Sequence, residues 1–193
     1  PIHVLSNILS LLYDKDGRIT LEGFYDDVPE LSNEQKEQWE SLNFDAKEFL
    51  SNVGLSNIIG EKDYSPLEKI WSRPTCEVNG IWGGYTEPGF KTVLPSEASA
   101  KVSFRLVGKQ DPNKVLKSFR NHVSKNLPSD CKVEFLAKAG SGASSLEINS
   151  PEVKAAEKAL HDEWNVIPKM VGCGGSIPIG DHFKSILGTN SLL

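Results

Sequence analysis

The chain has 193 residues, of which 38% are hydrophobic and 24% are charged, and its formal net charge is −5 at pH 7. This length allows one sizeable core, or one domain with part of another, and the mild acidity argues against a nucleic-acid partner, which needs a clustered basic surface. No apolar run approaches the roughly 20 residues that cross a bilayer as a helix, so no membrane partner is expected.

A helix and a short strand are predicted at the start of the chain. Apolar residues recur at helical spacing from Pro1 to Tyr13, so this segment is predicted to form an amphipathic helix. Asp14 begins a turn, and residues 18–21 are predicted as a short strand after it.

An acidic and polar region follows between residue 29 and about residue 72. It contains two patches with helical periodicity, at 32–42 and at 45–53. Ser32 followed by Gln35 is typical of a capping box, in which two side chains bond each other's backbone N–H at a helix start. We therefore interpret residues 29–72 as a helical insertion between two elements of a small sheet.

The next segments predict two strands, then a helix, and then a third strand. Residues 75–81 are a strand candidate. Residues 98–107 are predicted to form a half-buried strand, because apolar and polar side chains alternate from Ala98 to Leu106. Asp111 followed by Pro112 is typical of a helix start. The predicted elements from there on are a helix at 112–126, a strand at 132–137, a small-residue loop at 139–145, a helix at 151–164 begun by Ser150, a short strand at 168–171, a compact turn at 173–178 and a buried pattern at 181–187.

This order predicts an α+β fold, namely a ferredoxin-like two-layer sandwich with an antiparallel sheet and two helices on one face. Such a unit normally begins with a further strand, which we expect to precede Pro1. The sequence changes texture near Ser150. We therefore predict one domain over residues 1–149, including the insertion, and a short piece of a second, α/β domain over residues 150–193.

The histidine and cysteine patterns argue against a metal site within the chain. The four histidines never occur as HxH, HxxxH or HExxH, and no pair of them sits beside a suitable cysteine. The three cysteines are widely spaced and form no CxxC, which favours free thiols in a reducing compartment over a disulfide framework. We expect no metal ligands in this chain and a cytoplasmic location.

Two features indicate an anion site. The turn from Cys173 to Ser176 lacks the GxSxG pattern of a nucleophile elbow. It either supplies backbone N–H groups and a hydroxyl that cradle a carboxylate or oxyanion, or is a tight strand-to-helix connection. Arg105 lies on the polar side of its strand and is either solvated or directed at an anion, because a guanidinium binds carboxylates through two parallel hydrogen bonds. Thr92 would add a hydroxyl close to Arg105.

Three stretches resemble one protein family: PIHVL, CEVNGIWGGYTEPGFKTVLPSEASAKVSFRLVGKQDPNKV and GGSIP. They are similar to the dinuclear-zinc metallopeptidase and amidohydrolase family of carnosinase, aminoacylase, carboxypeptidase G and succinyl-diaminopimelate desuccinylase, above all to its carnosinase-like dipeptidase branch. The resemblance covers most of residues 1–28 and 75–193. It implies a catalytic domain with two zinc ions, interrupted by a ferredoxin-like lid that also forms a homodimer.

The resemblance also implies roles for particular residues. Thr92 and Arg105 match lid positions that bind the carboxylate end of the substrate. Gly174, Gly175 and Ser176 match a turn that holds the substrate beside the metal ions. We therefore expect a lid and dimerisation fragment, itself inactive, of a zinc enzyme that hydrolyses dipeptides or N-acyl amino acids. The alternative is a stand-alone ferredoxin-like module that dimerises or binds a small anion.

Overall fold

Seven helices and two strands are formed within residues 1–175 and 177–192, which are the residues that the computed structural model describes. None of the helices in these ranges combines the length and the apolarity that a bilayer span requires. The predicted α+β class is confirmed. In chain order the elements are α1 (Ile2–Ser10), α2 (Asn33–Glu40), α3 (Ala46–Ser51), α4 (Pro66–Trp71), β1 (Thr75–Gly83), β2 (Ala98–Arg105), α5 (Pro112–Asn126), α6 (Pro151–Trp164) and α7 (Pro178–Leu187).

The two strands form an antiparallel hairpin. Thr75 pairs with Arg105 at one end and Gly83 pairs with Ala98 at the other, with one irregularity in β1 between Val78 and Gly80. We call the end at Thr75 and Arg105 the base of the hairpin, and the end next to the connection 84–97 its tip. Eight residues of β2 separate the two ends by roughly 23 Å.

The apolar side of the hairpin forms the main core. Phe104 on β2 packs against the rings of Phe24 and Phe119, with centroids 5.9 and 5.5 Å apart. The alternation in β2 therefore predicted the core side correctly, and Ser103 and Arg105 are exposed on the other side. Helices α1 and α5 pack on the apolar side, and the buried centre of this core consists of Leu12, Ile19, Leu21, Phe24, Cys76 and Val115.

Local capping signals explain where several helices begin. Helix α5 begins at Pro112, and the Asp111 side chain accepts a hydrogen bond from the backbone N–H of Asn113 at 2.8 Å. The capping box predicted at α2 is present. Helix α4 begins with a second capping box, formed by Ser65 and Glu68, and the sequence interpretation did not predict this helix.

Three predicted short strands are wrong in the part of the chain that the structure describes. Residues 18–21 make only one antiparallel bridge, from Ile19 to Tyr13. Residues 132–137 lie along α5 and stay outside the sheet, because the Phe135 ring packs on Phe119 with centroids 6.4 Å apart. Residues 168–171 form no strand either, since side chains from α2 bind the backbone of this segment.

A buried ion-pair network fastens the insertion to the base of the hairpin. Arg73 lies two residues before β1, and its Nε and Nη2 donate to the two carboxylate oxygens of Glu61 at 2.9 and 3.0 Å. Both side chains are only 5% exposed. Arg73 also contacts Glu30 at 3.2 Å and stacks on the Tyr64 ring, whose centroid is 4.0 Å from the guanidinium carbon. The insertion is therefore tied to the chain just where β1 begins.

The Cys76 thiol gives a test of the core. Burial raises the pKa of Cys76 to about 12, and the neighbouring Glu77 carboxylate adds to the rise. At pH 8 the thiolate fraction is therefore about a thousandfold lower than in an ordinary thiol, and we expect alkylation of Cys76 only after unfolding. Mass spectrometry of native and denatured protein treated with iodoacetamide measures this, and rapid native labelling of Cys76 would contradict the described core.

The raised pKa of Cys76 also determines how the stability of the fold changes with pH. The folded protein holds the thiol proton of Cys76 more tightly than the unfolded chain does, because the folded pKa of Cys76 is raised. The stabilisation that results is complete below the unfolded pKa of about 8.5 and is lost as pH rises toward the folded pKa.

Candidate functional site

Arg105 brings the base of the hairpin together with the glycine-rich turn. Its guanidinium Nη1 donates a hydrogen bond to the backbone carbonyl of Gly174 at 2.8 Å, across 69 residues of sequence. Gly175 follows directly, and Ser176 lies outside the described residues. Two of the positions that the sequence singled out, Arg105 and Gly174, are thus in direct contact.

The polar side of the hairpin around Arg105 carries two further oxygens that the sequence interpretation did not single out. Thr75 lies opposite Arg105, and Glu77 lies opposite Ser103 on the same side of the sheet. Among the described residues, the Thr75 hydroxyl and Glu77 Oε2 are buried without a hydrogen-bond partner. A buried oxygen of this kind costs about 1–3 kcal/mol, so the arrangement favours a bound water or a donor group from a ligand.

The glycines of the turn are required by close packing against α4. A Cβ on Gly172 would lie 2.4 Å from the Cβ of Trp71, and a Cβ on Gly174 would lie 2.6 Å from the backbone oxygen of Ile70. Real Cβ atoms essentially never come so close. The turn therefore passes directly over the last residues of α4. This packing by itself is enough to explain why glycine occupies positions 172 and 174.

Thr92 does not lie beside Arg105 within one chain. It is an exposed residue of the connection 84–97. Its neighbours Lys91 and Val93 line a cleft of about 390 Å³ with Trp82 and Ser99, at the tip of the hairpin. Most of the length of β2, roughly 20 Å, therefore lies between this cleft and Arg105. The expected proximity of the two side chains is not seen within a single chain.

The described residues do not suit a metal centre. Within them, no group of three or more His, Cys, Asp and Glu side chains is placed to hold an ion. The three cysteines are free thiols, with Cys76 buried, Cys131 half-buried and Cys173 exposed. The donor set for zinc is therefore not found here, and no chemical step through a metal follows from these residues.

The contact at Gly174 determines how Arg105 can act. A backbone carbonyl that accepts from Nη1 restrains the guanidinium on the exposed side of the sheet. A guanidinium restrained in this way binds a planar carboxylate with less loss of side-chain entropy than a flexible lysine does. The base of the hairpin is thus suited to recognising a carboxylate.

The structure thus defines an α+β domain in which an arginine lies on the exposed side of a two-stranded hairpin. Residues 1–131 match the family model of the peptidase dimerisation domain. The chain therefore belongs to the family of M20 peptidase dimerisation domains, as the resemblance predicted.

Individual relatives agree with this assignment. The chain is 30% identical to the Cys-Gly metallodipeptidase DUG1 of Candida albicans over its whole length, and 29% identical to the Beta-Ala-His dipeptidase of Rattus norvegicus over 96% of its length. It covers 40% and 38% of these two proteins. The chain thus spans about two fifths of the length of these relatives.

Solved structures give the same result. An M20 family metallo-carboxypeptidase, Sso-CP2 from Sulfolobus solfataricus, matches 97% of this chain with a TM-score of 0.80 and 33% identity. Human carnosine dipeptidase 1 matches 97% of it with a TM-score of 0.78 and 27% identity. The chain covers 42% and 41% of these two structures.

Proposed function

We propose that this chain is the substrate-binding lid and dimerisation part of a longer, metal-dependent peptidase. The whole protein would hydrolyse the amide bond of dipeptides or N-acyl amino acids, with residues 1–149 as the lid and residues 150–193 as part of the catalytic domain. The contact between Arg105 and Gly174 carries this proposal, because it joins the two segments at a guanidinium, the group that binds carboxylates most readily. The names of the relatives make Cys-Gly and β-Ala-His the first substrates to test.

In this proposal Arg105 binds the free carboxylate of the substrate. The guanidinium neutralises the carboxylate and sets the direction in which the rest of the substrate extends. The backbone of Gly174 and Gly175, together with Ser176, would hold the substrate on the opposite side. Two zinc ions and the groups that bind them would belong to parts of the protein outside this chain.

The position of Thr92 supports a site shared between two copies of the chain. Thr92 and Arg105 both match positions that bind the substrate carboxylate, yet they lie at opposite ends of one hairpin. A two-fold homodimer that runs two hairpins antiparallel brings the tip of one hairpin to the base of the other. We therefore propose a homodimer in which Thr92 of one copy completes the Arg105 site of the second copy.

Mixing two inactive variants tests this arrangement. Thr92→Ala and Arg105→Ala are each expected to impair hydrolysis of Cys-Gly by the full protein. A heterodimer of the two variants contains one site with both native residues and one with neither. Random 1:1 assembly then restores about a quarter of the wild-type activity, since half of the dimers are mixed and each has one intact site. The measurement is the initial rate after co-expression.

The controls distinguish a failure of the shared site from a failure of the proposed enzyme class. Each variant co-expressed with itself should stay impaired. Mixed dimers without recovered activity would place Thr92 and Arg105 in the same chain's site, or remove one of them from it. Absence of hydrolysis by the wild-type protein across dipeptides and N-acyl amino acids would overturn the proposed enzyme class.

The state of the cysteines bears on the compartment. All three are free thiols, and the exposed Cys173 lies in the turn itself. Exposed free thiols persist where glutathione and thioredoxin keep them reduced. We propose a cytoplasmic location on this basis.

A further inference from the structure

Helix α2 binds both backbone groups of one residue near the turn. The Gln38 side-chain oxygen accepts from the Met170 N–H at 2.9 Å. Trp39 Nε1 donates to the Met170 carbonyl at 2.8 Å. Two adjacent side chains of the insertion thus replace the partner that a neighbouring strand would supply, across more than 130 residues of sequence.

Helix α4 completes this contact from the next residues of the turn. Trp39 is only 6% exposed, and its ring meets Trp71 edge to face with centroids 5.1 Å apart. Gly172 lies directly over Trp71, too close for any side chain. We call Gln38, Trp39, Ile70 and Trp71 the cradle, since they hold the segment from Met170 to Gly174.

The cradle is connected to both partners of the contact between Arg105 and Gly174. On one side, it fixes the segment that ends at Gly174. On the other side, α4 runs into Arg73, whose ion pair with Glu61 anchors the start of β1, and β1 pairs with Arg105 through Thr75. The same insertion is therefore linked both to the strand of the donor and to the segment of the acceptor.

Besides the packing of Gly172 and Gly174 on α4, hydrogen bonds attach this segment. Val171, Cys173, Gly174 and Gly175 are exposed, so little apolar burial holds them in place. The described polar contacts that fix the segment are those of Gln38 and Trp39 with Met170 and that of Arg105 with Gly174. Loss of one of them should therefore move the turn without unfolding the core, which lies on the other side of the hairpin.

We propose that Gln38 and Trp39 are positioning residues that seat the segment 170–174 opposite Arg105 and thereby set the affinity for the substrate carboxylate. The effect on affinity rests on the proposed function, whereas the seating itself does not. The insertion is, on this account, a part of the substrate site that acts from behind the turn.

The test compares Gln38→Ala with Gln38→Glu in the full protein. Alanine removes the acceptor for the Met170 N–H, whereas glutamate keeps a side-chain oxygen at that place. We expect Gln38→Ala to speed hydrogen exchange at residues 170–175 and to raise KM for Cys-Gly about fivefold, which corresponds to one lost hydrogen bond, with kcat within about twofold. Gln38→Glu should restore both values. Glu37→Ala, at an exposed residue of the same helix, is the matched control and should change neither.

A second variant approaches the segment from the other side. Gly172→Ala introduces a Cβ against Trp71 without altering α2, and it should speed the same exchange and raise the same KM. Unchanged exchange in Gln38→Ala would overturn the seating. Faster exchange with an unchanged KM would overturn its role in substrate affinity. If the wild-type protein hydrolyses no dipeptide, the proposed function fails, and the exchange comparison alone still decides the seating.

Discussion

Replacing Arg105 with alanine is expected to lower kcat/KM of the full protein about a hundredfold for substrates with a free carboxylate. The guanidinium offers two parallel, charge-assisted hydrogen bonds, and together these are worth about 3 kcal/mol, or two powers of ten in rate. The bound metal should stay at its wild-type level, because arginine is not a metal ligand and the described residues contain no cluster of three or more His, Cys, Asp and Glu side chains placed to hold an ion. Steady-state kinetics with Cys-Gly and metal analysis of the same preparation measure both quantities.

Two further variants show whether the fork or the charge matters. Arg105→Lys keeps the positive charge but loses the planar pair of donors, and its activity should fall between those of the wild type and the alanine variant. Lys101→Ala removes a cation from the same side of the same strand, four residues away, and should change kcat/KM less than twofold. Kinetics of Arg105→Ala equal to those of the wild type would remove Arg105 from the site.

Replacing Glu61 with alanine is expected to lower the free energy of unfolding by about 3–5 kcal/mol. This variant leaves the Arg73 guanidinium, which is buried, without the carboxylate that accepts two of its hydrogen bonds. Glu30, whose side chain is 61% exposed, compensates that charge only weakly, and a poorly compensated buried charge costs far more than the pair contributes when it is intact. Urea denaturation followed by tryptophan fluorescence gives the change in midpoint.

A matched variant in the same network should behave differently. The Glu30 side chain also contacts Arg73 but is 61% exposed, so Glu30→Ala should cost less than about 1 kcal/mol. Replacing the pair together, with Glu61→Leu and Arg73→Met, should recover much of the loss because no buried charge remains. A loss below 1 kcal/mol for Glu61→Ala would mean that the network is open to water in solution.

Elements with strong local signals were predictable from the sequence. The alternation of β2 gave the core side of the hairpin, because side chains alternate across a strand whatever the rest of the chain does. Asp111 and Pro112 gave the start of α5, since both act within one turn of helix. Helix α4 was missed, although Ser65 and Glu68 carry the same capping-box spacing that identified α2.

Hydrogen bonds between backbone groups and side chains far away in the sequence were not predictable. Residues 132–137 and 168–171 have strand-like composition, but composition does not specify whether a strand or a side chain will bind the backbone. In the structure, Gln38 and Trp39 bind Met170 from far away in sequence.

In the candidate site, too, individual residues could be singled out from the sequence, whereas the contacts between them could not be predicted. Arg105 was singled out from its place on the polar side of a strand, and Gly174 from its glycine-rich turn and from the resemblance, but their contact depends on tertiary structure. The expected proximity of Thr92 to Arg105 overlooked the length of β2, which places them at opposite ends of the hairpin.

The proposed recognition of a substrate carboxylate by Arg105 is tested most directly by comparing a dipeptide with its C-terminal amide. For the wild-type protein we expect kcat/KM to be about a hundredfold higher for Cys-Gly than for the amide, because only the free acid can accept both guanidinium hydrogen bonds. For Arg105→Ala the ratio should fall close to one. A ratio in Arg105→Ala as large as that of the wild type would show that another group binds the carboxylate.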